Sequence, residues 1–179
     1  MIIGLAGKKR VGKSTAAGFL VARGFVRTSF AEPMKQMVLP LLLGMGLKPA
    51  QIDYFEAHKE EMMPDLDVSM RHLLQTLGTD WGRKLIHPDV WVKAARRRIL
   101  DLNNAGYPVV IEDVRFENEA ALIRELGGKI IHIERKTGVS DAHASEAGIG
   151  FIADDVIIYN SDLSLEAFRV VALSASGIL

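Results

Sequence analysis

The chain contains no cysteine in its 179 residues, which excludes disulfides, thiolate metal centres and cysteine nucleophiles. That absence suits a reducing compartment. Charge of one sign is not in excess either, because 22 basic residues balance 22 acidic ones. A protein that grips a long polyanion carries a basic surplus, so stable nucleic-acid binding is not expected, whereas a local pocket for a few phosphates stays compatible. Long hydrophobic runs are missing too. The most apolar stretch, residues 38–47, is interrupted by Pro40, Gly44 and Gly46, well short of the roughly 20 residues of a membrane span. The N-terminal MIIGLAGKKR has too short an apolar run for a signal peptide, and its charges follow that run. These absences lead to the expectation of a soluble, cytoplasmic domain, and they leave both a monomer and a homodimer open.

What is there is an alternation of apolar runs with helical patterns. Residues 1–6, 25–30, 109–114, 129–134 and 156–159 read as strands, and residues 13–22, 34–43, 118–126 and 165–174 as helices. The middle, residues 47–104, reads as wholly helical, with segments at 48–61, at 69–85 behind a Ser69 cap, and from near Pro88. Continuous apolar strands between helices predict one α/β domain of three layers: a five-stranded parallel sheet covered on both faces, with a helical insert after the second strand. Ligands of such sheets gather outside the carboxyl ends of the strands.

The first strand runs into Gly7-Lys8-Lys9-Arg10-Val11-Gly12-Lys13-Ser14, followed by Thr15, a complete G-x-x-x-x-G-K-[ST] cradle of the P-loop type. Its glycines let backbone N–H groups turn toward phosphate oxygens, and the following helix adds partial positive charge. Lys13 is expected to reach the β- and γ-phosphates, and the Ser14 hydroxyl to join a Mg²⁺ shell. Gly7, Lys9, Val11, Gly12 and Thr15 complete the nucleotide contacts. No Asn/Thr-Lys-x-Asp element for reading guanine is found, which favours ATP.

Two further strand ends carry charge. Val109-Val110-Ile111-Glu112-Asp113-Val114-Arg115 places Asp113 as a metal-side carboxylate and Arg115 as a phosphate clamp, with Glu112 as the alternative acid. Simple alternation along a strand puts Asp113 and Arg115 on one side and Glu112 on the other. Phe30-Ala31-Glu32-Pro33-Met34-Lys35 follows the second strand, where Lys35 could reach an acceptor phosphate and Glu32 an acceptor hydroxyl.

Taken with Arg71-His72-Leu73-Leu74-Gln75-Thr76-Leu77-Gly78-Thr79-Asp80, Trp91, Asp113-Val114-Arg115-Phe116-Glu117-Asn118-Glu119 and Asp141-Ala142-His143-Ala144-Ser145-Glu146, the chain resembles the deoxynucleoside monophosphate kinases of bacteriophages. The R-x-x-L-Q-x-x-G-T-[DE] and D-V-R-F-x-N-E segments carry the resemblance, which extends over residues 4–160. It implies a P-loop kinase that converts a dNMP and ATP to dNDP and ADP with Mg²⁺, in a host cytoplasm if the source is a phage. Arg71, Gln75, Thr79 and Arg83 recur every four residues, so one helix would present two guanidiniums, an amide and a hydroxyl to the acceptor. Trp81 or Trp91 could stack on its base. Residues 135–150 correspond to a lid, with Arg135 and Lys136 closing over the phosphates and Glu146 among the acceptor contacts. Asn160 matches the family's adenine-side residue. A kinase of modified bases in DNA, a small-metabolite kinase such as one for dephospho-coenzyme A, and a non-enzymatic nucleotide-binding module are the alternatives.

Overall fold

The computed structural model describes residues 1–64, 66–135 and 148–178. Along the chain run β1 (Ile2–Ala6), α1 (Lys13–Val21), β2 (Val26–Thr28), α2 (Glu32–Gly44), α3 (Pro49–Ala57), β3 (Met62–Met63), β4 (Val68–Ser69) and α4 (Met70–Gln75). A π-helix (Thr76–Ile86) follows, then α5 (Val90–Asn104), β5 (Val109–Val114), α6 (Glu117–Glu125), β6 (Lys129–Glu134), β7 (Val156–Tyr159) and α7 (Leu165–Ser176). Contacts divide the chain into two units, residues 1–30 with 96–179, and residues 31–95.

In the first unit all five apolar runs form one parallel sheet in the order β2-β5-β1-β6-β7. The central strand β1 is buried along its whole length, which explains why its sequence is continuously apolar. On one face Ile3, Leu5, Val110 and Ile131 pack with α1 and α7, and the small side chains of Ala16 and Ala17 let α1 lie close to the sheet. On the other face a Cβ added to Gly4 would come within 2.7 Å of Ile123 Cδ1 on α6, so glycine is what permits that approach. Helices thus cover both faces, as a P-loop NTPase-like architecture requires.

The register between β1 and β5 shifts: Gly4 pairs with Ile111, but Ala6 pairs with Val114. Two steps on β1 meet three on β5, so a bulge falls at Glu112 and Asp113. Ile111 and Val114 therefore share a face despite their odd separation. The uninterrupted alternation expected for residues 112–115 does not hold, because the extra residue re-aims the side chains at the functional end of the strand.

The second unit has its own core of Val38, Leu42, Leu47, Ile52, Met63 and Met70. It is not wholly helical as expected: β3 and β4 form a two-stranded antiparallel ribbon with Met62 opposite Ser69 and Met63 opposite Val68. Pro64 disfavours a continuing helix, and Asp67 takes a positive φ of 50° that closes the turn. Ser69 caps α4 as expected, its Oγ accepting from the His72 amide at 3.1 Å.

The expected single helix over residues 69–85 changes type after Gln75 and continues as the π-helix. Tertiary packing accounts for this. A Cβ on Gly82 would meet the Trp91 ring at 2.5 Å, and one on Gly78 would meet Met34 Sδ at 2.7 Å. The buried Trp91 indole donates to the Gly78 carbonyl at 2.7 Å, supplying a partner where the α-ladder is broken. No helix among the described residues is long and apolar enough to cross a membrane.

Candidate active site

The cradle follows β1 at its carboxyl end. Gly7, Arg10 and Gly12 all have positive φ, at 136°, 65° and 113°. A Cβ on Gly7 would lie 2.3 Å from the Ile133 carbonyl oxygen, and one on Gly12 would lie 2.8 Å from Asn160 Nδ2. Both positions exclude a side chain by space as well as by backbone conformation. Lys13 arches back over the loop, its Nζ donating to the Gly7 carbonyl at 2.5 Å and the Lys8 carbonyl at 2.7 Å. The helix it begins, α1, has no side-chain cap and no acid in its first turn, so the positive end of its dipole is uncompensated by a carboxylate there. Ser14 and Thr15 are exposed on that first turn.

Asn160 enters from the end of β7. Its amide Nδ2 donates to the Val11 carbonyl at 2.9 Å, and its backbone N–H donates to Glu134 at 2.7 Å. The side chain is buried and braces the cradle from beneath.

At the β5 bulge, Asp113 Oδ1 accepts from the Phe30 amide at 2.8 Å, tying the end of β5 to the end of β2. Glu112 takes a different course. Its Oε2 is buried, has no hydrogen-bond partner among the described residues and lies 3.7 Å from Arg27 Nη1, while Arg27 Nη2 donates to the Ser14 carbonyl at 3.0 Å. Arg27 thus links the second acid to the first turn of α1. Arg115 is positioned through its backbone: its N–H and that of Phe116 donate to Glu119 Oε2 at 2.8 and 3.2 Å. Glu119, buried at 3% exposure, is the last residue of the D-V-R-F-x-N-E segment and sits at the third position of α6, where its side chain accepts from the amide of the N-cap residue Phe116.

A cavity of about 310 Å³ opens where β1, β5 and β6 end. Gly7 and Lys8 of the cradle line it together with Arg115, His132 and Arg135. Two expected phosphate clamps, Arg115 and Arg135, therefore share one cavity with the cradle. His132 escaped the sequence reading, although a histidine within the apolar run Lys-Ile-Ile-His-Ile-Glu was a usable signal. Its Nε2 lies 3.1 Å from Asp155 Oδ2, which also accepts from Arg124 Nη2 at 2.6 Å and the Ile152 amide at 3.1 Å. Burial alone would push the Asp155 carboxyl up, but these three hydrogen bonds and the Arg124 charge outweigh it and hold the group below its ordinary value.

The expected acceptor residues lie in the second unit, apart from Arg115 and Glu146. Glu32 is in the first turn of α2, where its Oε1 accepts from Gln36 at 3.4 Å. Lys35 pairs with Glu56 at 2.6 Å and Arg71 with Glu60 at 2.6 Å. Arg71 and Gln75 belong to α4, but Thr79 and Arg83 belong to the π-helix, whose wider turns do not repeat a face every four residues. Arg83 Nη1 donates to the Pro88 carbonyl at 2.9 Å. Trp91 is buried and packs within the unit, whereas Trp81 is 38% exposed, 6.3 Å away between ring centroids. Lys136, Asp141, His143, Ser145 and Glu146 lie outside the described residues.

Comparison with solved structures bears on the fold alone: a sugar kinase from Janibacter sp. HTCC2649 matches with a TM-score of 0.53 at 13% identity, covering 99% of this chain and 94% of that one. Sequence relatives reach further. A protein of Acanthamoeba polyphaga mimivirus assigned as a deoxynucleotide monophosphate kinase is 37% identical over 182 residues, covering 94% of this chain and 92% of its own. The deoxynucleoside-5'-monophosphate kinase of Escherichia phage T5 is 32% identical over 120 residues, with 63% of this chain and 46% of the phage protein covered, so the match spans about half of that longer relative. The family model for deoxynucleotide monophosphate kinase matches residues 44–170, a span that takes in the Arg71–Asp80 and Asp113–Glu119 motifs as well as Asn160. The family model matches more than half of the chain, and the mimivirus relative is matched over nearly its whole length, so the chain belongs to the deoxynucleotide monophosphate kinase family.

Proposed function

We propose that the cradle and the cavity beside it transfer the γ-phosphoryl group of ATP to a deoxynucleoside monophosphate, giving dNDP and ADP. Phosphoryl transfer between ATP and a dNMP is the reaction of the family. The observation that carries the reading to these residues is the cavity in which Gly7 and Lys8 meet Arg115 and Arg135. Transfer is in line and depends on positioning and charge neutralisation more than on proton chemistry, because the acceptor oxygen is already anionic. Lys13, Arg115 and Arg135 spread the negative charge that develops on the transferred group.

The donor set fits Mg²⁺, which binds through one or two carboxylates and substrate phosphates more often than in an all-protein cage. When bound, it would neutralise charge on the β- and γ-phosphate oxygens. Ser14 and Asp113 are the residues to hold it. The Phe30 hydrogen bond orients Asp113 as ligating carboxylates commonly are oriented, and the unbonded Glu112 Oε2 is a second acid at the same strand end. Lys35, Arg71, Gln75 and Thr79 are assigned to the acceptor, and Asn160 to support of the nucleotide site through Val11.

The test is ADP formation with ATP and Mg²⁺ across the deoxy- and ribonucleoside monophosphates, with Lys13→Ala as control. Acceptor-dependent turnover with at least one dNMP is expected, and Lys13→Ala should raise the barrier by about 3 kcal/mol or more with little loss of fold. Silence across the panel in protein that binds ATP would redirect the reading to another acceptor. Near-normal turnover by a verified Lys13→Ala protein would remove the cradle assignment.

A further inference from the structure

One wall of the cavity is an imidazole whose second nitrogen has no hydrogen-bond partner among the described residues. His132 pairs with Ala6 in the sheet register, is 9% exposed, and lines the cavity beside Gly7, Arg115 and Arg135. The Asp155 carboxyl, held below its ordinary value, is ionised and can only accept, so His132 Nε2 carries the hydrogen of their 3.1 Å contact. Phe151 meets the ring edge-on at 5.6 Å between centroids and restrains its plane. Nδ1 has no hydrogen-bond partner among the described residues.

The charges around the ring decide what Nδ1 can do. Arg124 on α6 already neutralises Asp155 at the same oxygen. Lys8 in the cradle, Arg115 after β5 and Arg135 after β6 are cationic, with Glu134 the acid at the end of β6. The lone pair of a neutral Nδ1 would repel an anionic phosphate oxygen, whereas an imidazolium donates to it.

The geometry points to His132 as a ligand of a nucleotide phosphate, binding as the imidazolium and taking up one solvent proton at Nδ1 as the nucleotide enters. The proton returns to solvent on release, and no covalent bond changes. This role rests on the proposed function, since it needs nucleotide phosphate in this cavity.

The experiment is titration calorimetry of the full chain with Mg²⁺ near neutral pH, in two buffers of different ionisation enthalpy. ATP forms one arm and each of the four dNMPs another. The difference between buffers counts protons. His132→Gln keeps an amide donor for Asp155 but has no second nitrogen that can charge. His132→Asn places its amide nearer the Nδ1 position and serves if the first variant folds poorly. The expected result is that the wild type takes up a substantial fraction of a proton beyond either variant, with affinity about tenfold weaker in the variants. Uptake confined to the ATP arm assigns the contact to the donor, and uptake confined to a dNMP arm assigns it to the acceptor. Nucleotide binding with equal proton uptake in all three proteins overturns the role of His132 and leaves the proposed function standing. No nucleotide binding by the wild type overturns both.

Discussion

Asn160 Nδ2 reaches across 149 residues of sequence to the carbonyl of Val11, 2.9 Å away and out of contact with solvent. The same asparagine takes the Glu134 carbonyl through its backbone. The cradle is therefore held by the far edge of the sheet as well as by the strand and helix on either side of it.

Removing that brace should loosen the cradle more than the fold. Asn160→Ala leaves the buried Val11 carbonyl unpaired, which costs about 1–3 kcal/mol. Asn160→Asp should be worse, because a carboxylate oxygen then faces a carbonyl oxygen. Urea denaturation and ATP affinity measured on both variants check this, and unchanged ATP affinity in Asn160→Asp would contradict the bracing role.

Gly7→Ala is expected to abolish tight nucleotide binding. The new Cβ would stand 2.3 Å from the Ile133 carbonyl oxygen, a rigid backbone atom, at a φ of 136°. Gly106 provides the comparison: its φ is also positive, at 84°, but nothing lies within 4 Å of an added Cβ. Gly106→Ala should cost only backbone strain, about 1 kcal/mol, with ATP affinity intact. ATP binding by the two variants separates crowding at the cradle from backbone strain in general.

The Asp155 carboxyl gives the stability of the chain an acid-side dependence. Its folded value is depressed, so its contribution is present above the unfolded value near 4 and is lost as pH falls through the lower folded value. Asp155→Asn removes one partner of a largely buried ion pair and should cost about 2–4 kcal/mol at neutral pH. The gap to wild type should narrow as the pH drops below about 4. Urea midpoints at several pH values read this directly, and a gap that stays constant into acid would refute the ion-pair account.

Trp91 separates packing from ligand stacking. Trp91→Phe loses the hydrogen bond to the Gly78 carbonyl and part of the ring that Gly82 packs against, so a loss of about 1–3 kcal/mol in stability is expected. A base-stacking residue would instead raise KM for the dNMP with the melting temperature unchanged. Thermal unfolding beside dNMP kinetics on this one variant decides between them.

Much of the fold was legible because its signals are local. Most strands of the sheet are built on apolar runs, although β2 is only Val-Arg-Thr, and most of the helices announce themselves through caps, period and glycine stops. The small ribbon at Met62–Ser69 was not legible, since two-residue strands leave no periodic pattern. Nor was the change from α4 to the π-helix, where Trp91 and Met34, from elsewhere in the unit, lie close against two glycines. In the site, the cradle could be read residue by residue, whereas the bulge at Glu112 and Asp113 could not, because it exists only relative to the register of β1.

The sequence by itself determined the cradle from Gly7 to Ser14, the acidic end of β5 and the family motifs, because each is a fixed spacing along one short stretch of chain. Tertiary structure alone decided which groups meet there. It joined Asn160 to Val11, set Arg115 and Arg135 around one cavity, and brought His132 and Arg124 onto a single carboxylate oxygen of Asp155. The physical reason is that hydrogen bonds and burial act between neighbours in space, and in a parallel sheet those neighbours are brought together by strand order, here β2-β5-β1-β6-β7, not by position in the chain.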